Sequence, residues 1–303
     1  MARRVLVTGA TGFLGRQVVN VIGRAGWEVV GTGFTRASPP SVLKVDLCSK
    51  GDVEETLDAV RPQVVVHCAA NRFPDKCDVD PAGTKALNIQ ASQNLARATN
   101  SHSVLLIYIS TDYVFPGRPG DAPYEADAST SPTNLYGESK LDGERAVLAE
   151  TALSGLGVVL RVPVLYGKAT EPKESAVNTL IDSVWKAQEE NANVIMDDWA
   201  LRYPTNTEDV ARVIKDIAIK YLEAPDKKAL PKILQFSSED RLTKYEICKL
   251  LAEIMGLPLD GMKANKQGND PNASVQRPYD CHLSTKALKE LGIDVGTQNF
   301  ADW

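Results

Sequence analysis

Apolar, β-branched runs alternate with amphipathic stretches through roughly the first 165 positions of the chain. Val5–Thr8, Glu28–Thr32, Leu43–Val45, Val64–Cys68, Val104–Ser110 and Val158–Val162 read as strands. Several are apolar without interruption, as suits strands buried on both faces of a parallel sheet. Residues 13–25, 50–60, 80–99 and 134–152 carry a helical period between them. Regular βα alternation predicts an α/β fold with a right-handed, doubly wound parallel sheet. After about residue 167 the alternation weakens. Helical patterns near 175–189, 206–222, 244–255 and 284–291, with short strands at Val194–Met196 and Ile233–Phe236, suggest a smaller α/β lobe. The expected division is a nucleotide-binding domain over 1–167 and a substrate or partner lobe over 168–303, with some interleaving of elements.

The first strand breaks into Gly9, Gly12 and Gly15 and resumes as a helix. Glycines there allow a tight turn and close approach of a pyrophosphate, which the next helix's N-terminal amides and dipole would hold. Ligands of such sheets lie at the carboxyl ends of the strands. That directs attention to Gly9–Gly15, to Gly33–Arg36, to Asp46 and Leu47, to Ala69, Ala70 and Arg72, to Ser110–Tyr113 and to Pro163–Gly167. Readers of NAD usually place a carboxylate after the second strand. This chain has Phe34, Thr35 and Arg36 there, and Arg16 follows the third glycine. Two guanidiniums near the ribose suit a 2′-phosphate, and NADP(H) is favoured over the alternative that these are solvated surface arginines. Asp46 could meet the adenine amino group or simply cap its loop.

Tyr136 and Lys140 lie four residues apart and share a helix face. An ammonium beside a phenol is expected to lower the tyrosine pKa and make it a usable proton donor or acceptor. The spacing alone is weak, because Tyr245 and Lys249 repeat it. That copy opens a helix with a capping-box signature, Thr243 to Glu246, and reads as a helix start with a core-facing tyrosine. Tyr136 differs by following a strand that ends in Ser110 and Thr111. A hydroxyl there could hydrogen-bond a substrate carbonyl, and Thr111 is favoured over Ser110.

Composition narrows the classes. The 303 residues are 43% hydrophobic with net charge −5, and no basic stripe with interleaved aromatics points to nucleic acid. No apolar run reaches the length of a membrane span, and the first strand begins too early for a signal peptide. The five cysteines are odd in number and scattered, and the three histidines lie far apart, so no metal site is expected. The expectation is a reduced, cytoplasmic protein.

Together the glycine turn, the Asp46-Leu47 turn, Cys68-Ala69-Ala70, the strand-end hydroxyls and the Tyr136–Lys140 segment resemble the extended short-chain dehydrogenase/reductases. Ser110–Gly117 and Tyr136–Glu144 are similar to catalytic segments of the dTDP-4-dehydrorhamnose reductases. That likeness implies Thr111, Tyr136 and Lys140 as a catalytic triad acting with NADPH on a sugar nucleotide. Stretches through nearly the whole chain resemble the regulatory β subunits of methionine adenosyltransferase, among them Arg4–Gly12, Val66–Ala70 with Arg72–Asp75, Glu174–Val177, Arg202–Thr205 and Gln276–Pro278. This second likeness implies a methionine adenosyltransferase catalytic subunit as partner. It also implies Thr11, Gly12, Phe13, Leu14, Phe34, Thr35, Arg36, Asp46, Leu47, Cys68, Arg72, Tyr136 and Leu165 against the nucleotide. In the second lobe Arg202, Arg277 and Lys263 could meet a substrate diphosphate or be solvated surface charge.

Overall fold

The computed structural model describes residues 3–303. The chain runs β1 (Arg4–Thr8), α1 (Phe13–Arg24), β2 (Glu28–Gly33), β3 (Val42–Lys44), α2 (Lys50–Val60), β4 (Val64–His67), α3 (Pro74–Val79), α4 (Pro81–Lys85), α5 (Ala91–Ser101) and β5 (Leu105–Thr111). It continues through α6 (Leu135–Glu150), β6 (Gly157–Val162), β7 (Leu165–Tyr166), α7 (Leu180–Lys186), β8 (Val194–Asp197), β9 (Thr205–Asn206) and α8 (Thr207–Glu223). The last elements are β10 (Ile233–Gln235), α9 (Lys244–Met255), β11 (Met262–Asn265) and α10 (Lys286–Glu290).

A seven-stranded parallel sheet has the order β10-β6-β5-β4-β1-β2-β3. Alternate residues of each strand face opposite layers, which explains the unbroken apolar runs. Val5, Val7, Val64, Val66, Leu105 and Ile107 pack against Val18 and Ile22 of α1 and Val210, Ile214 and Ile217 of α8. Leu6, Val65, Leu106 and Tyr108 meet Val53 and Leu57 of α2, Leu95 of α5 and Val147 of α6. Residues after 167 therefore return to this layer: β10 extends the sheet beside β6, and α8 covers it.

The order reverses between β1 and β4, so the connections leaving them diverge to opposite faces and open a crevice at their carboxyl ends. Above that edge, Val177, Leu180, Val184, Met196, Ile247, Ala252 and Met262 form a separate apolar core, framed by the β8–β11 pair.

The helix expected over 80–99 forms without a gap but changes its winding on the way. It forms as α4, a π-helical turn at Ala86–Gln90, and α5, and it is preceded by α3. Asp80 caps α4 by accepting from Gly83 N, with Pro81 at the first helical position. The helix expected over 175–189 is confined to α7. Ser175 Oγ instead donates to Leu165 O at 2.7 Å and accepts from Val177 N and Asn178 N, fixing a non-helical strap before it.

Candidate functional site

The crevice is a cavity of about 810 Å³ whose floor is the glycine turn. Gly9 adopts φ +62°, and a Cβ on Gly15 would fall 2.1 Å from Gly9 O, a backbone atom that cannot move aside. Side-chain-free residues are thus obligatory where the chain doubles back into α1. Gly12 caps that helix without any side-chain acceptor, and its first turn carries no acid. Its leading amides and positive dipole end face the cavity, as binding a diphosphate requires.

Nearly all of the residues singled out in the sequence meet here. Gly9, Thr11, Gly12, Phe13, Leu14 and Gly15 line the cavity from the turn, and Phe34, Thr35 and Arg36 line it from the end of β2. Asp46 and Leu47 follow β3, and Cys68, Ala69, Ala70 and Arg72 follow β4. Thr111 ends β5, Tyr136 and Lys140 project from α6, and Leu165 comes from β7. Asp46 also caps its own loop, accepting from Cys48 N at 2.9 Å.

Arg16 departs from expectation. It does not line the cavity, and its guanidinium grips Glu174, with Nη1–Oε1 at 2.9 Å and Nη2–Oε2 at 2.5 Å, while Nη1 also donates to Thr11 O at 2.8 Å. The fork expected to meet a ribose phosphate is already occupied. Arg36 stays on the cavity wall, with Nη1 at 3.5 Å from Glu174 Oε1, and Arg72 donates to Glu174 O. The Arg16 guanidinium, aided by the Thr170 amide, holds the Glu174 carboxyl down at about 2.

The Tyr136–Lys140 pair also differs electrostatically from the simple picture. Burial pushes the Tyr136 phenol well above its ordinary pKa, and the Thr111 hydroxyl acts only partly against that. Lys140 does not offset the burial. Only 3% exposed, it lies with Nζ 4.0 Å from the Tyr108 ring centroid, and burial draws its own pKa down to about 7. Desolvation outweighs the Thr111 hydroxyl and the Arg72 charge, so Tyr136 is a protonated phenol at neutral pH.

The two strand-end hydroxyls have separate partners. Ser110 Oγ donates to Glu144 at 2.5 Å, whereas Thr111 Oγ1 donates to Asp112 at 2.9 Å and accepts from Tyr113 N at 3.2 Å. Burial raises Asp112 to about 6. Asn88, in the π-helical turn, holds the loop after β4 against α6: its Oδ1 accepts from Asn71 N at 2.8 Å, and Nδ2 donates to Asn71 O and Ser139 Oγ at 2.9 Å.

At the other end of the cavity stand Arg202, Lys244 and Arg277. Arg202 is 7% exposed, and among the described residues its Nη2 has no hydrogen-bond partner; Asp197 lies 3.9 Å away. Arg277 is held by Asp75 at 2.9 Å. Lys263 is exposed on β11 and does not line the cavity. Lys244 takes that place, and no local pattern announced it, since it merely begins the helix capped by Thr243 and Glu246. The second tyrosine–lysine pair, Tyr245 and Lys249, belongs to that capped helix as expected, with Tyr245 packed on the upper core. Glu174 was visible only as part of a similar stretch, with no chemistry attached. Among the described residues no group of His, Cys, Asp and Glu could hold a metal ion, and no helix is long and apolar enough to cross a membrane.

Comparison with known proteins places the chain in a family. The RmlD substrate binding domain matches residues 3–300. Methionine adenosyltransferase 2 subunit beta of Rattus norvegicus is 40% identical over 96% of this chain and 83% of its own length. A dTDP-4-dehydrorhamnose reductase of Streptomyces griseus is 38% identical over 54% of the chain and 50% of its own length. Among solved structures, dTDP-4-dehydrorhamnose reductase of Bacillus anthracis in complex with NADP superposes with a TM-score of 0.80 at 22% identity, covering 100% of this chain and 96% of that one. The chain belongs to the RmlD substrate-binding domain family, of extended short-chain dehydrogenase/reductase fold, as a relative of the methionine adenosyltransferase 2 β subunits.

Proposed function

We propose that this chain is an NADP(H)-binding regulatory subunit of β type for a methionine adenosyltransferase. The observation that carries the reading is the reach of the likeness to the rat β subunit. It extends over 96% of the chain, and so through the second lobe, where members of one fold diverge in function. The likeness to the Streptomyces reductase spans 54%. The dinucleotide fits the cavity's own chemistry: an uncapped helix start above a glycine turn for the diphosphate, and Arg36 and Arg72 on the wall beyond a β2 that ends without a carboxylate. The test is association with a methionine adenosyltransferase catalytic subunit. Mixed at micromolar concentrations, the two should co-migrate in size-exclusion chromatography, and the kinetics of S-adenosylmethionine formation should change. Separate migration with unchanged kinetics sinks the proposal.

A second reading has its own support, because Thr111, Tyr136 and Lys140 share one cavity with Arg202, Lys244 and Arg277. That array suits reduction of a 4-keto sugar nucleotide, with the nicotinamide supplying hydride when bound. Thr111 would orient the carbonyl. Tyr136, which burial keeps protonated, would give its proton to the nascent alkoxide, and Lys140 would hold the nicotinamide ribose. Turnover of a dTDP-4-keto-6-deoxy sugar by the isolated chain, abolished in Tyr136→Phe, would put this reading first.

A further inference from the structure

The strap between Gly167 and Val177 brings a carboxylate to the arginine cluster that β2 itself does not supply. Glu174 closes the Pro172–Glu174 turn, and its position is fixed from both sides. Thr170 N donates to Oε2 at 2.8 Å, both Arg16 nitrogens donate to its two oxygens, and Arg72 donates to its main-chain oxygen. The carboxylate is 13% exposed, and its Oε1 also faces Arg36 Nη1. Arg36 and Arg72 line the cavity; Arg16, held by Glu174, does not.

We propose that Glu174 is an internal counter-anion that sets how strongly the crevice distinguishes a 2′-phosphorylated dinucleotide from an unphosphorylated one. The inference rests on the dinucleotide reading above. A 2′-phosphate approaching Arg36 meets a fixed carboxylate on the same guanidinium and finds the Arg16 fork engaged. A free 2′-hydroxyl meets no such repulsion. Two anions compete for one set of guanidiniums, and only one of them arrives with the ligand. The protein therefore binds NADP(H) less tightly than its arginines would allow, and the strap limits that affinity without touching the nicotinamide end.

The test is direct titration of the full chain with NADPH and with NADH, in wild type, Glu174→Gln and Arg16→Ala/Glu174→Gln. Glu174→Gln keeps the shape of the strap residue and removes its charge. It should tighten NADPH by about tenfold and change NADH by less than about threefold. The added Arg16→Ala change should erase most of the gain, and raised salt should shrink it. Equal weakening of both coenzymes by Glu174→Gln would show that the strap only retains ligand, and would overturn the inference while leaving the dinucleotide reading intact. So would an unchanged NADPH affinity. Binding of neither coenzyme to wild type or variant overturns both.

Discussion

Arg161 and Glu144 form a two-pronged ion pair in the protein interior, Nε–Oε1 at 2.9 Å and Nη2–Oε2 at 2.8 Å, with each side chain 2% exposed. It joins β6 to α6 one helical turn beyond Lys140, and Ser110 of β5 donates to the same carboxylate. The pair thus fixes the helix that carries Tyr136 against the strand that ends in Thr111. Breaking it leaves an uncompensated buried charge. Arg161→Met should therefore cost about 3–5 kcal/mol in urea unfolding, with Glu144→Gln similar. A loss under about 1 kcal/mol for both would contradict the structural role.

The glycine turn makes a sharper steric prediction. A Cβ at Gly15 collides with Gly9 O, whereas one at Gly26 meets nothing within 4 Å. Gly15→Ala should destabilise the fold by about 1–3 kcal/mol and weaken NADPH binding at least tenfold, through displacement of the α1 amides. The surface change Gly26→Ala is strained by its φ of +82° but should leave coenzyme affinity unaltered. Calorimetric titration of the two variants separates the effects.

Lys140 implies a pH dependence of stability. Its folded pKa of about 7 lies below the ordinary lysine value, so above pH 7 the unfolded chain binds the extra proton. This lysine's cost to folding is full below pH 7 and is lifted as pH rises from about 7 to about 10.4. Lys140→Met should therefore raise coenzyme-free stability near pH 7 by roughly 2–4 kcal/mol, with the gain vanishing toward pH 10. The same variant should bind NADPH more weakly. Urea midpoints of both proteins across that range would decide it, and a gain constant with pH would contradict the assignment.

Arg202 Nη2, which has no hydrogen-bond partner among the described residues, tests the second lobe. If the sugar-nucleotide reading holds, Arg202→Ala should weaken dTDP binding by about 2–3 kcal/mol, because a buried charge-assisted bond to phosphate is lost. NADPH affinity should stay within about threefold. If the regulatory reading holds alone, dTDP should fail to bind wild type at millimolar concentration.

Much of this was legible in the sequence, for reasons that can be located. The order strand, glycine turn and helix is local, so Val5 through Arg24 could be read directly. The thirteen-residue window around Thr243–Met255 carried both its cap and its period, and so its Tyr245–Lys249 pair was not mistaken for chemistry. Long-range partners were not legible. Arg16 follows the glycines as a phosphate reader would, yet its partner Glu174 is 158 positions away. The sequence could not reveal that Tyr136 would be buried, which raises its pKa where the neighbouring lysine was expected to lower it, nor that Lys140 would be laid on Tyr108. Lys244 and Lys263 were indistinguishable without the fold. The short pairs β7–β9 and β8–β11 depend on residues about forty to seventy positions apart and carry little period of their own.

The crevice at the carboxyl edge of β1 and β4 is read here as the seat of a phosphorylated dinucleotide. Isothermal titration of the wild-type chain with NADPH and NADH tests that reading most directly. One molecule should bind saturably per chain, with NADPH tighter by about tenfold through Arg36, and that preference should be lost in Arg36→Ala. No binding of either coenzyme, or equal affinities that Arg36→Ala leaves unchanged, would contradict it.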